Sequence, residues 1–302
     1  MVLDLFFLVA GGALLYFGGD WLVDGVSALA HRLRVPAVMV ALIVMGFGTS
    51  APELVVAIKA MLAGVPDIAM GNVLGSNIAN VLLVLALAAL VTPIAVDRDI
   101  LRVDGTAMMV AALALWFSAY DGIISRLDAA LLVVGMLVYL GARWCSFDKK
   151  EAPDTGNDGL LYTLGITAAA LISLPLGAHI FVAGATSIAT TLGVSEAIIG
   201  LTVVALGTSL PEIAACLAAA IRREPGMILG GVLGSNVFNS TVVIAGAAAV
   251  ANIPVADVFQ DFWIVAMIGT SLITLLFLRT GFRLNRLEAM VMLALYGGVF
   301  LI

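Results

Sequence analysis

The stretch Gly48-Thr49-Ser50-Ala51-Pro52-Glu53, a turn at Gly64-Val65-Pro66-Asp67, and Gly71-Asn72-Val73-Leu74-Gly75-Ser76-Asn77-Ile78-Ala79-Asn80 together decide how this chain must fold. They set a carboxylate, Glu53, directly after a proline, among small hydroxylic residues, inside an apolar run. In hydrocarbon such a group is costly unless paired or solvated, so an intramembrane carboxylate is a functional-site candidate. The same pattern returns as Gly207-Thr208-Ser209-Leu210-Pro211-Glu212, a turn at Pro225-Gly226, and Gly230-Gly231-Val232-Leu233-Gly234-Ser235-Asn236-Val237-Phe238-Asn239. Gly48 and Gly207, Glu53 and Glu212, and Asn80 and Asn239 are each 159 positions apart, with no gap between the motifs, so the chain reads as two copies of one unit.

The rest of the composition agrees with a membrane setting. Of 302 residues, 63% are hydrophobic and 11% charged, with mean hydropathy +1.17; a soluble domain carries roughly 25% charged residues. A net charge of −6 and the lack of a basic stripe argue against a nucleic-acid partner. Cys145 and Cys216 form no metal-binding or disulfide pattern and read as ordinary thiols. No positive region precedes the first apolar stretch, so a cleavable leader is not expected.

Apolar runs between charge clusters and Gly/Pro punctuation predict ten spans, at about 3–30, 36–63, 67–91, 101–119, 124–143, 159–190, 195–221, 226–250, 258–278 and 284–302. The division is five and five: a first repeat over 1–143, a polar linker over 144–158, and a second repeat over 159–302. Arginine and lysine collect after the odd-numbered spans (Arg32, Arg98, Arg143, Arg222, Arg279), with Lys59 and Arg126 as the exceptions. Since cytoplasmic loops are rich in these residues, the linker is expected in the cytoplasm and both termini outside. An odd number of spans per copy turns the second copy over, giving an inverted-topology repeat. The predicted fold is thus an all-α membrane protein of ten transmembrane helices, two inverted five-helix repeats, with helices 2, 3, 7 and 8 discontinuous around a central site. Spans 1 and 6 are too long for upright helices, and their polar residues Asp20, Asp24 and His179 read as interfacial groups at the ends of tilted helices.

Within a span, a proline removes an amide donor and disrupts the helix. Gly48 and Pro52 should therefore break span 2, with span 7 matching it, freeing carbonyls at Gly46 and Ala205 as oxygen ligands. Thr49 with Glu53, Ser76 with Asn80, Thr208 with Glu212, and Ser235 with Asn239 are i, i+4 pairs, each sharing one helix face. Glycines 71, 75, 230 and 234 should allow close helix approach. Two carboxylates, two amides, hydroxyls and carbonyls, with no His, Cys or Met beside them, suit hard cations such as calcium and sodium. A bland account exists for each part alone: Gly-x-x-x-Gly is usually packing, and a lone Ser or Thr bonds its own helix. It does not explain two full motifs at one offset.

These motifs resemble those of the cation/calcium antiporter superfamily, in its sodium/calcium exchanger branch, whose alpha-1 and alpha-2 repeats correspond to 46–90 and 205–249. The resemblance implies a prokaryotic plasma (inner) membrane exchanger, not an enzyme, without cofactor or obligate protein partner, transporting calcium and sodium. By motif position, Thr49, Ser50, Glu53, Ser76 and Asn80, with Thr208, Ser209, Glu212, Ser235 and Asn239, would line its cation sites. The glutamates would hold calcium, and the hydroxyls and carbonyls sodium. Relatives commonly carry Asp where this chain has Asn239, which leaves two ionisable groups. The alternatives are a proton/calcium (or other divalent cation) antiporter and a membrane scaffold or receptor that transports nothing.

Overall fold

The computed structural model describes residues 2–146, 159–194 and 205–299. Most of the expected linker, the first part of span 7 and the last three residues lie outside them. The described chain is helical apart from two very short strand pairs. Its helices are α1 (Val2–Leu33), α2 (Ala37–Thr49), α3 (Ala51–Leu62), α4 (Pro66–Val91), α5 (Arg98–Ser118) and α6 (Arg126–Ser146). They continue as α7 (Leu160–Thr191), α8 (Leu210–Ile221), α9 (Pro225–Val250), α10 (Phe259–Arg279) and α11 (Arg286–Val299). Among the described residues, eight helical segments are long and apolar enough to cross a bilayer, with α2 and α3 forming one.

Span 2 is interrupted at one residue, Ser50 (φ −87°, ψ 4°), between α2 and α3. Proline sits in the first turn of α3, where a missing amide donor costs least. In the second copy, a helical turn at Ala205–Gly207 leads through Thr208 and Ser209 into α8, again with proline in the first turn.

The expected breaks in spans 3 and 8 are corrected. Both helices run through, and each widens instead into one π-helical turn, Asn80–Val84 in α4 and Asn239–Val243 in α9. Neither segment holds a proline or glycine at that point, so nothing forces a rupture. The extra residue per turn is accommodated by the longer bond from Leu85 N–H to the Asn80 carbonyl. Such wide turns recur at functional sites, and both begin on a candidate ligand.

The longest helices, α1 and α7, lie against each other over most of their length. Gly11 meets Gly177 and Phe181, Gly18 meets Ser173 and Leu174, and Gly25 meets Thr167, so the pair is antiparallel. A glycine every seven residues on α1 removes the side chains that would hold the backbones apart. A Cβ on Gly11 would fall 2.7 Å from the Gly177 carbonyl oxygen.

Several contacts occur in pairs related by the duplication. Strand β1 (Ile94–Ala95) pairs antiparallel with β4 (Arg283–Leu284), and β2 (Ile123–Ile124) with β3 (Ile253–Pro254). Arg126 Nη2 donates to the Val250 carbonyl at 3.3 Å, and Arg286 Nη2 donates to the Val91 carbonyl at the same distance. Left-handed backbone occurs at Arg34 and Gly193, at Gly64 and Arg223, and at Gly122 and Gly281, each couple 159 apart. Phe282 (φ 50°) has no such counterpart: the turn Gly281-Phe282-Arg283-Leu284-Asn285 is one residue longer than Gly122-Ile123-Ile124-Ser125.

Candidate cation site

The candidate site forms where α2, α3, α4, α8 and α9 meet. Helix α9 crosses α2 at very short range, because Gly230 and Gly234 put no side chain between them. A Cβ at Gly234 would lie 2.8 Å from the Leu42 carbonyl oxygen, and one at Gly230 2.7 Å from that of Val38. Two of the four expected close-approach glycines thus behave as predicted. Around Gly71 and Gly75 the described residues leave open space or ordinary contact; the segment related by the repeat to the Val38–Leu42 stretch falls within 195–204, outside the described residues.

This crossing brings the two motifs together. Ser50, from the break in span 2, donates to Glu212 Oε1 at 3.3 Å, and Ser235 of α9 donates to the same oxygen at 3.4 Å. The two serine oxygens are also in contact, so one of the hydroxyls shares its proton between the other serine and Glu212. Glu53 sits one turn beyond Ser50, close enough to Glu212 for the two charges to interact. Asn239 Nδ2 donates to Ser76 Oγ at 3.2 Å, which joins α9 to α4. Thr49 donates to the Met45 carbonyl at 2.7 Å, bonding back into its own helix as the bland account predicts for a lone threonine.

The site is dry and rich in unused acceptors. Glu53 is 0% and Asn239 0% exposed, and Thr49, Ser50, Ser76, Asn80, Ser209, Glu212 and Ser235 are buried. Both oxygens of Glu53, Oε2 of Glu212, and the Oδ1 atoms of Asn80 and Asn239 have no hydrogen-bond partner. Buried polar atoms are almost always satisfied, and an unsatisfied one costs about 1–3 kcal/mol, more when charged. Five such oxygens at one crossing, every one an acceptor, call for positive charge. No group of three or more His, Cys, Asp or Glu suited to a metal exists among the described residues, so the neutral oxygens must complete any coordination. Phe47 and Phe238, with ring centroids 4.2 Å apart, cover the junction of α2 and α9 beside Asn239.

Thr208 differs from the candidate ligands Thr49, Ser50, Glu53, Ser76, Asn80, Ser209, Glu212, Ser235 and Asn239 by being half-exposed. It lines a cleft of about 210 Å³ with Gly207, Pro211, Pro52 and, from α7, Pro175, Ala178, His179 and Val182. His179 is exposed and stands on the α7 wall of this cleft. The carbonyl of Gly46 lies on α2 just before the break, and Ala205 opens the equivalent turn.

Two residues of the motif escaped the sequence reading as more than spacing. Asn236 Oδ1 accepts from Asn80 Nδ2 at 3.0 Å, which turns the Asn80 oxygen the other way, and Asn236 Nδ2 donates to the Asn77 carbonyl at 3.1 Å. Asn77 Nδ2 donates to Ser240 Oγ and lies 3.2 Å from Met267 Sδ; Asn236 Nδ2 lies 3.7 Å from Met108 Sδ, the duplicate of that methionine. Their signal was present, since both stand beside the quoted serines, but a helical face alone does not say which amide binds and which orients.

Fold and site together define a polytopic membrane transporter with a buried oxygen-lined centre. A sequence model of the sodium/calcium exchanger protein family matches residues 3–145 and 162–302, and the chain belongs to that family. It is 35% identical over 302 residues to an uncharacterised membrane protein of Methanocaldococcus jannaschii, covering 98% of this chain and 96% of that one. It is 30% identical over 342 residues to the sodium/calcium exchanger MaX1 of Methanosarcina acetivorans, covering 98% and 97%. Among solved structures, the sodium-calcium exchanger NCX_Mj soaked with sodium and strontium superposes with a TM-score of 0.85 at 32% identity, over 98% of this chain and 97% of the other.

Proposed function

We propose that this protein is a secondary antiporter that exchanges sodium for calcium by alternating access, with Glu53 and Glu212 as the shared charged ligands. The observation that carries the reading is the set of five partnerless acceptor oxygens around two buried carboxylates. Two negative charges match one divalent cation or a pair or trio of monovalent ones. With both glutamates charged and no cation, a centre of this kind bears the desolvation of two like charges, an effective penalty of several kcal/mol per ion. Crossing the membrane unloaded is therefore disfavoured, which couples the movement of one ion to the return of the other.

Asn80, Asn239, Ser50, Ser76, Ser209 and Ser235, with Thr49 and Thr208, would supply the neutral oxygens. The Gly46 and Ala205 carbonyls would serve sodium. In this reading the ten spans form two inverted repeats, and the two strand ribbons support it: β1 precedes α5 while its duplicate β3 pairs with the strand that follows α5. The termini would lie outside, the 144–158 linker in the cytoplasm, and the protein in a prokaryotic plasma membrane. The antiparallel pair α1–α7, joined through glycines, is the element that would slide across the rest.

Purified protein in sodium-loaded liposomes tests this directly. Calcium uptake driven by an outward sodium gradient, and not by potassium, is expected. Uptake driven by a proton gradient alone would replace this reading with the proton-coupled one, and no uptake under any gradient would leave a scaffold.

A further inference from the structure

Helices α5 and α10 part at one end to leave a groove of about 480 Å³, distinct from the candidate cation site. Its rim is cationic: Arg98 and Arg102 from the first turns of α5, and Arg279 from the last turn of α10. Among the described residues none of the three makes a salt bridge. The nearby acids are committed elsewhere, Asp97 to the Asp99 amide at 2.7 Å and Asp99 to Arg143 at 2.5 Å. The Arg98 guanidinium is held over the Phe282 ring, 4.6 Å from its centroid. Phe282 is the residue inserted into the β4 turn, so the added residue builds this rim.

Below the rim the wall changes character. Leu101, Leu275 and Leu276 follow, and Leu272 lies seven residues before Arg279, about 10 Å deeper at the helical rise. The groove therefore offers positive charge at the depth of a headgroup and leucine at the depth of an acyl chain. Arginine at a cytoplasmic helix end needs no ligand to explain it, because topology alone selects it. Three arginines without a salt bridge converging on one leucine-walled groove are a narrower pattern, and the positions related to them by the repeat sharpen it. There Arg98, Arg102 and Arg279 are replaced by Asp257, Asp261 and Tyr120. In the inverted arrangement proposed above, those positions face the opposite leaflet.

We propose that the α5–α10 groove binds an anionic glycerophospholipid of its own leaflet, its phosphate among Arg98, Arg102 and Arg279 and one acyl chain along the leucines. Basic pockets between transmembrane helices recognise such headgroups, and a charge at the surface contributes about 1 kcal/mol, roughly five-fold in affinity.

The test is native mass spectrometry of the whole protein in detergent, titrated with phosphatidylglycerol or phosphatidylcholine. Retention of phosphatidylglycerol over phosphatidylcholine is expected, falling on the order of 20-fold in Arg102→Gln/Arg279→Gln and much less in Arg102→Lys/Arg279→Lys. Asp257→Asn/Asp261→Asn should leave it unchanged. Equal retention of the two lipids by the unaltered protein, or full retention by the glutamine variant, overturns the proposal. Displacement by soluble glycerol phosphate at similar concentration would show a free-phosphate site and overturn it as well. Sodium-driven calcium uptake by the same preparations reports separately on the exchanger reading.

Discussion

Helix α1 is seated on α8, whereas its duplicate α7 scarcely touches α3. On the first side, Gly19 lets the backbones close: a Cβ there would fall 2.7 Å from the Ala214 carbonyl oxygen and 3.2 Å from the Ala218 side chain. One turn on, Arg222 at the end of α8 is gripped by both Asp20 and Asp24 of α1. On the second side the equivalents of Gly19, Asp20 and Asp24 are Ala178, His179 and Ala183, and those of Ala214, Ala218 and Arg222 are Val55, Lys59 and Ala63. Small residues have become larger, and the ion pairs have no counterpart. That side holds the cleft leading to Thr208. The comparison teaches that a duplicated sequence need not make duplicated contacts, and that here the substitutions favour closing one side over the other.

The same inequality runs through the centre. Glu212 is bonded by Ser50 and Ser235, while Glu53 has both oxygens unpartnered. The largest effects should ignore this difference. Glu53→Gln and Glu212→Gln each remove half the charge that balances a divalent ion, and each should abolish measurable calcium flux, a fall of at least about 100-fold by the energies of broken buried charge pairs. Substantial flux in either variant would remove that glutamate from the transported-ion site.

Next come the serines, which should separate the two halves. Hydrogen bonds to a charged group are worth about 1.5–3 kcal/mol, so Ser50→Ala or Ser235→Ala should weaken calcium binding by at least about ten-fold, measured by titration calorimetry. Ser209→Ala should cost clearly less than that, because both oxygens of Glu53 are without a hydrogen-bond partner and Ser209 gives it no such bond to lose. Equal losses would mean that the halves become equivalent once calcium is bound.

A smaller change is expected from the α1–α8 clamp. Exposed ion pairs contribute about 0.2–1 kcal/mol each, so Arg222→Gln should shift the balance between the two closures by a few-fold, read as spin-label distances between α1 and α8. An unchanged distance distribution would make the clamp a bystander. The smallest effect concerns Asn239, which bonds Ser76 and leaves only two ionisable groups at the centre. Asn239→Asp restores a group that titrates, and calcium uptake should then change by about a factor of two across the carboxylate range where the unaltered protein changes less. Superimposable pH profiles would reject a role for the missing acid.

Much of this was legible in advance because it is local. The Pro-Glu pair announced a helix break and a costly charge, and the break falls at Ser50 as expected. The supposed breaks in spans 3 and 8 were misread: a run of small and polar residues signals a site without saying whether the helix ruptures or widens, and it widens. The glycine row Gly11, Gly18 and Gly25 went unread because its meaning lies in α7, more than a hundred residues away.

Alone, then, the amino-acid sequence determined that the chain crosses a membrane many times, that one motif is written in it twice, and which oxygen-bearing residues are the candidates for a centre. Hydrocarbon taxes every unpaired charge, so patterns of a few residues suffice for those conclusions. Only the tertiary structure decided which serines hold Glu212, that Asn236 orients Asn80, that Arg222 ties α8 to α1, and that His179 borders the cleft. Most of those contacts join the two copies, while Ser235 holds Glu212 from within its own; a motif written twice can close on either partner until the packed whole selects one.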